Sequence, residues 1–181
     1  MNKENRRRIV QLSSLVKEDD HTKGALNAPV KLVEYGDYEC PYTGRAYPIV
    51  KEIQKLLGDR LLFVFRNFPL TQIHPHAQHA AEAAEAAAIQ GKFWEMHDYL
   101  FEHHQALDDD HLARYASKLA LDVNRFNQDM SKHSYAARIR QDMLSGEQSG
   151  VEGTPTFFIN GVRYNESWDL KTLLGAIKNA M

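Results

Sequence analysis

The most informative stretch of the 181-residue chain reads VKLVEYGDYECPYT and runs from Val30 to Thr43. Its first six residues are rich in strand-forming side chains and follow Pro29, which predicts a strand over Val30–Tyr35. Apolar residues then recur at helical spacing over Pro41–Leu57, which predicts a helix that begins just after Cys40. Cys40 is therefore expected at a strand-to-helix junction, where unpaired helix N–H groups favour the thiolate over the thiol.

The rest of the chain predicts an α/β fold interrupted by helices. A bulky apolar run over Leu61–Phe68 predicts a second strand, parallel to the first in a right-handed βαβ unit. A helical pattern of about 70 residues follows, longer than an ordinary crossover. Strand signals at Thr156–Ile159 and Val162–Tyr164 flank Asn160-Gly161, a strong hairpin signal, and a closing helix is expected over Leu170–Ala180.

This pattern divides the chain into three predicted parts. Residues 1–27 form an amphipathic amino-terminal helix and a linker. Residues 28–73 and 149–181 form the α/β domain. Residues 74–148 form a helical insertion subdomain.

Composition limits the classes of function. The chain has 22 Lys and Arg against 24 Asp and Glu, so no broad basic surface for a nucleic acid is expected. No apolar run approaches the about 20 residues of a membrane span, and the segment after Arg6-Arg7-Arg8 is a poor signal peptide. We therefore expect a cytoplasmic protein that binds neither nucleic acid nor a membrane. The single cysteine, Cys40, excludes a disulfide within the chain and a cysteine-based metal site.

The run from Glu34 to Thr43, followed over a hundred residues later by Gly153-Thr154-Pro155-Thr156-Phe157, resembles the DsbA-like branch of the thioredoxin superfamily. The resemblance covers residues 28–181. Residues 65–70, 74–77 and 91–97 are also similar to the thioredoxin-like extension of some Na⁺/H⁺ antiporters. The resemblance implies a thioredoxin-like fold with an all-helical insertion.

The resemblance also implies roles for individual residues. Cys40 would be an exposed nucleophile, with Pro41 shaping the first turn of the helix. Glu34 would be a buried acid beneath the cysteine that assists proton transfer. Pro155 would follow a cis peptide bond beside Cys40. The expected substrate contacts are Tyr42, Thr154 and Pro155.

Thr43 departs from the pattern of the dithiol relatives, which have a second cysteine at this position. Without that resolving thiol, a mixed disulfide at Cys40 must wait for an outside thiol such as glutathione. The sequence therefore predicts a monothiol oxidoreductase that exchanges with glutathione or with protein cysteines. The Thr43 hydroxyl is expected to donate a hydrogen bond to the Cys40 thiolate.

Two other functions remain open from the sequence. One is a glutathione transferase or isomerase of the kappa type, in which Cys40 or Thr43 orients glutathione without a covalent bond. The other is a non-catalytic module that binds a peptide beside Pro155. No resident cofactor is expected, and although His76 and His79 have a spacing that can hold a metal ion, the prediction is that no metal is bound.

Overall fold

Five strands form one mixed sheet in a computed structural model that describes residues 10–181. The strands are β1 His21–Lys23, β2 Val30–Gly36, β3 Leu61–Asn67, β4 Thr156–Ile159 and β5 Val162–Tyr164. The helices are α1 Pro41–Leu57, α2 Ala77–Ala88, α3 Phe93–Glu102, α4 Asp109–Lys118, α5 Val123–Ser131, α6 Ala136–Gln148 and α7 Leu170–Asn179. The strand order is β1-β3-β2-β4-β5, in which β2 and β3 are parallel and the other neighbouring pairs are antiparallel.

The predicted βαβ unit is confirmed by β2, α1 and β3. Residues 30–36 pair in register with residues 61–67, so both strands end at the same edge of the sheet. Helix α1 begins directly beyond this edge, and Gly36 allows the close turn into it. A Cβ at position 36 would lie 2.4 Å from Cε2 of Phe65 and 3.0 Å from Cγ2 of Thr43. This edge of the sheet is where Cys40 is placed.

The sheet buries apolar side chains on both faces. Alternate residues of β2 point to opposite sides, so Leu32 belongs to one apolar cluster and Val33 to another. The larger cluster includes residues of α1, α7 and helices α2 to α5. The smaller cluster is covered in part by residues 12–25 and by Met143 of α6.

The helical insertion shares the core of the sheet. Its α2 helix is rich in alanine, and these small side chains are buried within the same cluster as Phe63 and Phe65 of β3. Helix α6 contributes Ile139 to this cluster and also approaches the opposite face, where a Cβ on Gly146 would lie 2.8 Å from the ring of Phe68. The insertion therefore contributes to both sides of the sheet. Within residues 10–181, no helix combines the length and the hydrophobicity needed to cross a membrane.

The predicted amino-terminal helix is wrong over the part that the structure describes. Residues 1–9 lie outside the described residues, and residues 10–20 contain no helix. The Leu12 N–H donates to the Gly161 carbonyl at 2.8 Å, and the Arg163 N–H donates to the Val10 carbonyl at 2.9 Å. This segment therefore extends the sheet beside β5, because the exposed strand edge offers backbone hydrogen bonds that outweigh local helix preference.

A buried arginine holds the next part of this segment on the sheet. Arg66 of β3 is 2% exposed and donates to both carboxylate oxygens of Asp20, at 2.9 and 2.8 Å. It also donates to the carbonyls of Ser14 and Leu15. The predicted linker then forms strand β1, which pairs with β3 and which the sequence pattern did not reveal.

Candidate active site

Cys40 occupies the N-cap position of α1. Its backbone is extended, with φ −68° and ψ 121°, and Pro41 follows at the start of the helix. The Gly44 N–H donates to the Cys40 carbonyl at 2.9 Å, closing the first helical turn. Since proline has no N–H, the amides of Tyr42 and Thr43 are the donors that the first turn leaves without an intrahelical acceptor. These donors and the positive end of the helix dipole favour a negative charge on the sulfur.

The thiol is buried, which corrects the expectation of an exposed nucleophile. Cys40 is 2% exposed, and its Sγ donates a hydrogen bond to the Thr154 carbonyl at 3.4 Å. The Thr154–Pro155 peptide bond is cis. The Thr154 hydroxyl oxygen is also buried and has no hydrogen-bond partner among the described residues. The loop before β4 therefore contacts the sulfur, which is shielded from solvent.

Asp37 organises the turn that presents Cys40, a role that the sequence analysis missed. Its carboxylate is fully buried. One oxygen accepts from the N–H groups of Glu39 and Cys40, at 2.8 and 3.1 Å. The other oxygen accepts from the Leu70 N–H and from Nδ1 of His74, both at 2.8 Å. One side chain therefore fixes the turn before α1 to the loop after β3.

Thr43 is completely buried beneath the same turn. Its hydroxyl oxygen accepts from the Asp37 N–H at 3.4 Å, and its methyl group lies against Gly36. The expected hydrogen bond from the Thr43 hydroxyl to Cys40 is not formed; the Thr43 oxygen accepts from Asp37, and the Cys40 sulfur donates to Thr154. Thr43 fills the space beneath the turn and supports it.

Glu34 is buried within β2, and its carboxylate makes no hydrogen bond to a described residue. Burial raises the pKa of Glu34 to about 8. The side chain lines a cavity of about 10 Å³, at the lower limit for one water molecule. Lys23, Lys51 and His97 line the same cavity. Burial lowers the pKa of His97 well below its usual value, so this ring is neutral.

The surface beside Cys40 carries polar and aromatic groups. The ring of Tyr42 is 55% exposed, and the guanidinium of Arg45 lies 4.6 Å from its centroid. The Glu39 carboxylate accepts from the backbone N–H of His76 at 2.7 Å and from its Nδ1 at 2.9 Å. Tyr42 is therefore accessible to a substrate, whereas Glu39 and His76 are hydrogen-bonded to each other.

The histidine run that suggested a metal site is divided between different partners. His74 bonds to Asp37, His76 to Glu39 and His79 to Asp109. Within the described residues, no group of three or more His, Cys, Asp or Glu side chains is placed to hold a metal ion. His76 and His79 therefore do not act together as the sequence spacing suggested.

The fold and the site together define a DsbA-like thioredoxin domain. A cysteine caps the first helix of a βαβ unit, a cis-proline loop lies over it, and helices are inserted between β3 and β4. A family model described as Thioredoxin matches residues 16–179. The chain belongs to this family.

Curated relatives cover nearly all of the chain. It is 47% identical over 175 residues to the Na(+)/H(+) antiporter NhaA 3 of Salinispora tropica and to the Na(+)/H(+) antiporter NhaA 1 of Salinispora arenicola. Each match covers 95% of this chain and 26% of the relative. The chain therefore spans about a quarter of the length of these relatives.

Solved structures show the same fold. BdbD of Bacillus subtilis, in its oxidised form, matches with a TM-score of 0.80 at 24% identity and covers 89% of this chain and 92% of its own. A thioredoxin-like oxidoreductase of Silicibacter pomeroyi matches with a TM-score of 0.80 at 27% identity, over 91% and 93% of the two chains. The α-DsbA1 of Wolbachia pipientis matches with a TM-score of 0.80 at 22% identity, over 92% of each chain. The chain thus has the fold of DsbA-like thiol-disulfide oxidoreductases.

Proposed function

We propose that this protein is a monothiol oxidoreductase in which Cys40 exchanges a glutathionyl group between glutathione and a second thiol. The observation that supports this most directly is the position of the single cysteine. Cys40 caps α1 beneath the cis-proline loop, and Thr43 stands where a resolving cysteine would be. Glutathione serves as a co-substrate, in keeping with the proposed cytoplasmic location.

The exchange proceeds in two balanced steps. The Cys40 thiolate attacks one sulfur of glutathione disulfide, so that a Cys40–glutathione disulfide forms and one glutathione leaves as a thiolate that takes up a proton. A second thiolate then attacks the glutathionyl sulfur and releases Cys40 as a thiolate. Overall, the second thiol is oxidised to a mixed disulfide, glutathione disulfide is reduced to one glutathione, and the protein is unchanged. The reverse sequence removes glutathione from a protein.

The hydrogen bonds around Cys40 change with its charge. The 3.4 Å bond to Thr154 requires the S–H proton, so it is lost when the thiolate forms. The negative sulfur then repels the Thr154 carbonyl and is attracted to the amides of Tyr42 and Thr43. Ionisation therefore favours movement of the sulfur away from the loop. The vacated Thr154 carbonyl and its unpartnered hydroxyl become available to the substrate.

Glu34 is proposed to assist this proton transfer from its buried position in β2. Its carboxyl is protonated at neutral pH because burial raises its pKa to about 8. Such a group can exchange a proton with buried water near physiological pH, whereas an exposed glutamate is ionised. Replacement of Glu34 by Gln is expected to slow release of the leaving thiol while Cys40 remains reactive.

The test is intact mass spectrometry of the folded protein after incubation with oxidised glutathione. The parent is expected to gain one glutathionyl group, which is lost on addition of reduced glutathione, and the Cys40→Ser variant is expected to gain none. The Thr43→Cys variant is expected to lose glutathione by itself, forming a disulfide between positions 40 and 43.

Two results would contradict the proposal. If Cys40 reacts in urea but stays unmodified in the folded protein, the thiol has no redox function and a peptide-binding role is favoured. If Cys40→Ser retains glutathione-dependent transfer, the enzyme orients glutathione without a covalent bond, as in a kappa-type transferase.

A further inference from the structure

Two histidines of the helical insertion share a cavity outside the Cys40 site. His79 lies on α2, and His133 lies in the turn between α5 and α6. Their ring centroids are 5.6 Å apart, and both rings line a cavity of about 300 Å³. Neither histidine takes part in the chemistry proposed for Cys40.

The hydrogen bonds of both rings determine which nitrogen is free. Nδ1 of His79 lies 2.7 Å from Oδ1 of Asp109, and Nδ1 of His133 lies 2.9 Å from Oε2 of Glu82. Since an ionised carboxylate only accepts, each Nδ1 carries the proton of the neutral ring. The lone pair of each Nε2 is therefore available, and neither Nε2 bonds to a described residue. A carboxylate behind a histidine is also the arrangement that orients metal-ligating imidazoles.

The separation of the rings suits a shared ion. With metal–nitrogen bonds of about 2.0–2.1 Å and angles near tetrahedral, the centroids of two imidazoles on one ion lie roughly 5 to 6 Å apart. The observed 5.6 Å lies within this range. The rings are 41% and 55% exposed, so an ion can enter from solvent without opening the core.

We propose that His79 and His133 bind one divalent transition-metal ion through their Nε2 atoms, with Asp109 and Glu82 as outer carboxylates. Imidazole nitrogen suits Zn²⁺ and Ni²⁺. Because the described residues supply no third protein ligand, water completes the coordination. The ion links α2 to the turn between α5 and α6.

The experiment titrates the full chain with Zn²⁺ and with Ni²⁺, measuring heat of binding and the ¹⁵N shifts of assigned histidine rings. One ion per chain is expected, with shifts of Nε2 in His79 and His133. His79→Gln and His133→Gln should each weaken binding at least tenfold. Glu82→Gln, which changes the carboxylate that bonds to both His133 and Gln78, should weaken it roughly tenfold to a hundredfold. Binding should be unchanged in Cys40→Ser, so that the result is independent of the thiol function.

His111→Gln is the matched control, because His111 also bonds through Nδ1 to a carboxylate, that of Asp108. It should leave the affinity unchanged. The proposal is overturned if millimolar Zn²⁺ and Ni²⁺ do not bind, if His79 and His133 show no Nε2 shift, or if His111→Gln weakens binding as much as the two proposed ligands. The exposure of all three rings keeps these variants folded, and circular dichroism verifies this.

Discussion

Replacement of Glu34 by Gln should make the protein more stable at high pH. The folded protein holds the Glu34 proton up to about pH 8, whereas the unfolded chain releases it near pH 4.5. Between these values the folded state binds more protons than the unfolded state, so the free energy of unfolding falls as pH rises. Gln has nearly the same shape and does not ionise, so its contribution stays constant.

The size of the stability difference follows from the pH interval between 4.5 and about 8. One proton changes the free energy of unfolding by about 1.4 kcal/mol per pH unit. From pH 4.5 to about 8, the stability of the parent therefore falls by about 5 kcal/mol relative to Glu34→Gln. The two proteins should have similar free energies of unfolding below pH 4.5, and the difference between these free energies should level off above pH 8.

The assay is urea unfolding of both proteins from pH 5 to pH 9. Subtracting the free energies of unfolding of the two proteins removes the effect of titrating groups that both contain. These groups include Asp142, whose pKa is raised by burial to about 6, and the neutral His97. A difference that stays constant with pH, or in which the parent gains stability as pH rises, would refute the reasoning.

Three further substitutions test the packing and the turn, each by urea unfolding. Asp20→Asn breaks the buried pair with Arg66 and should lower the free energy of unfolding by about 3–5 kcal/mol. Asp19→Asn, at an exposed pair, should lower it by about 1 kcal/mol or less. Equal losses for the two variants would contradict this prediction. Gly146→Ala places a Cβ 2.8 Å from the Phe68 ring and should cost about 1–3 kcal/mol. Gly175→Ala, with open space around it, should be neutral or stabilising, and an equal loss at both positions would contradict the clash with Phe68. Asp37→Asn removes an acceptor from the Cys40 turn and should cost about 1–3 kcal/mol; a cost no larger than that of exposed Asp59→Asn would exclude this role.

Sequence patterns were reliable wherever neighbouring residues determine the structure. The apolar spacing over Pro41–Leu57 predicted helix α1, and Cys40 was predicted at its start. The Asn160-Gly161 pair predicted the hairpin, and both residues have positive φ, at 48° and 81°. These features depend on local backbone preferences, which are encoded in a few adjacent side chains.

The sequence was misleading at the amino-terminal segment, where an amphipathic helix was predicted. Residues 10–12 instead bond to the edge of β5, residues 21–23 pair with β3, and Arg66 binds the segment between them, so the partners of this segment are distant in sequence. Asp37 was visible in the motif, yet its function depends on Leu70 and His74, which only folding brings to it. An aspartate three residues before Cys40 was the local signal that could have suggested its capping of the turn.

The sequence by itself determined the α/β class, the βαβ unit and the single cysteine with threonine in place of a resolving partner. Tertiary structure alone decided that Cys40 is covered by Thr154 and that Thr43 bonds to Asp37. It also decided that His79 meets His133 and not His76. The physical reason is that helix and turn preferences act over a few residues, whereas burial and hydrogen-bond partners depend on segments that meet only when the chain has folded.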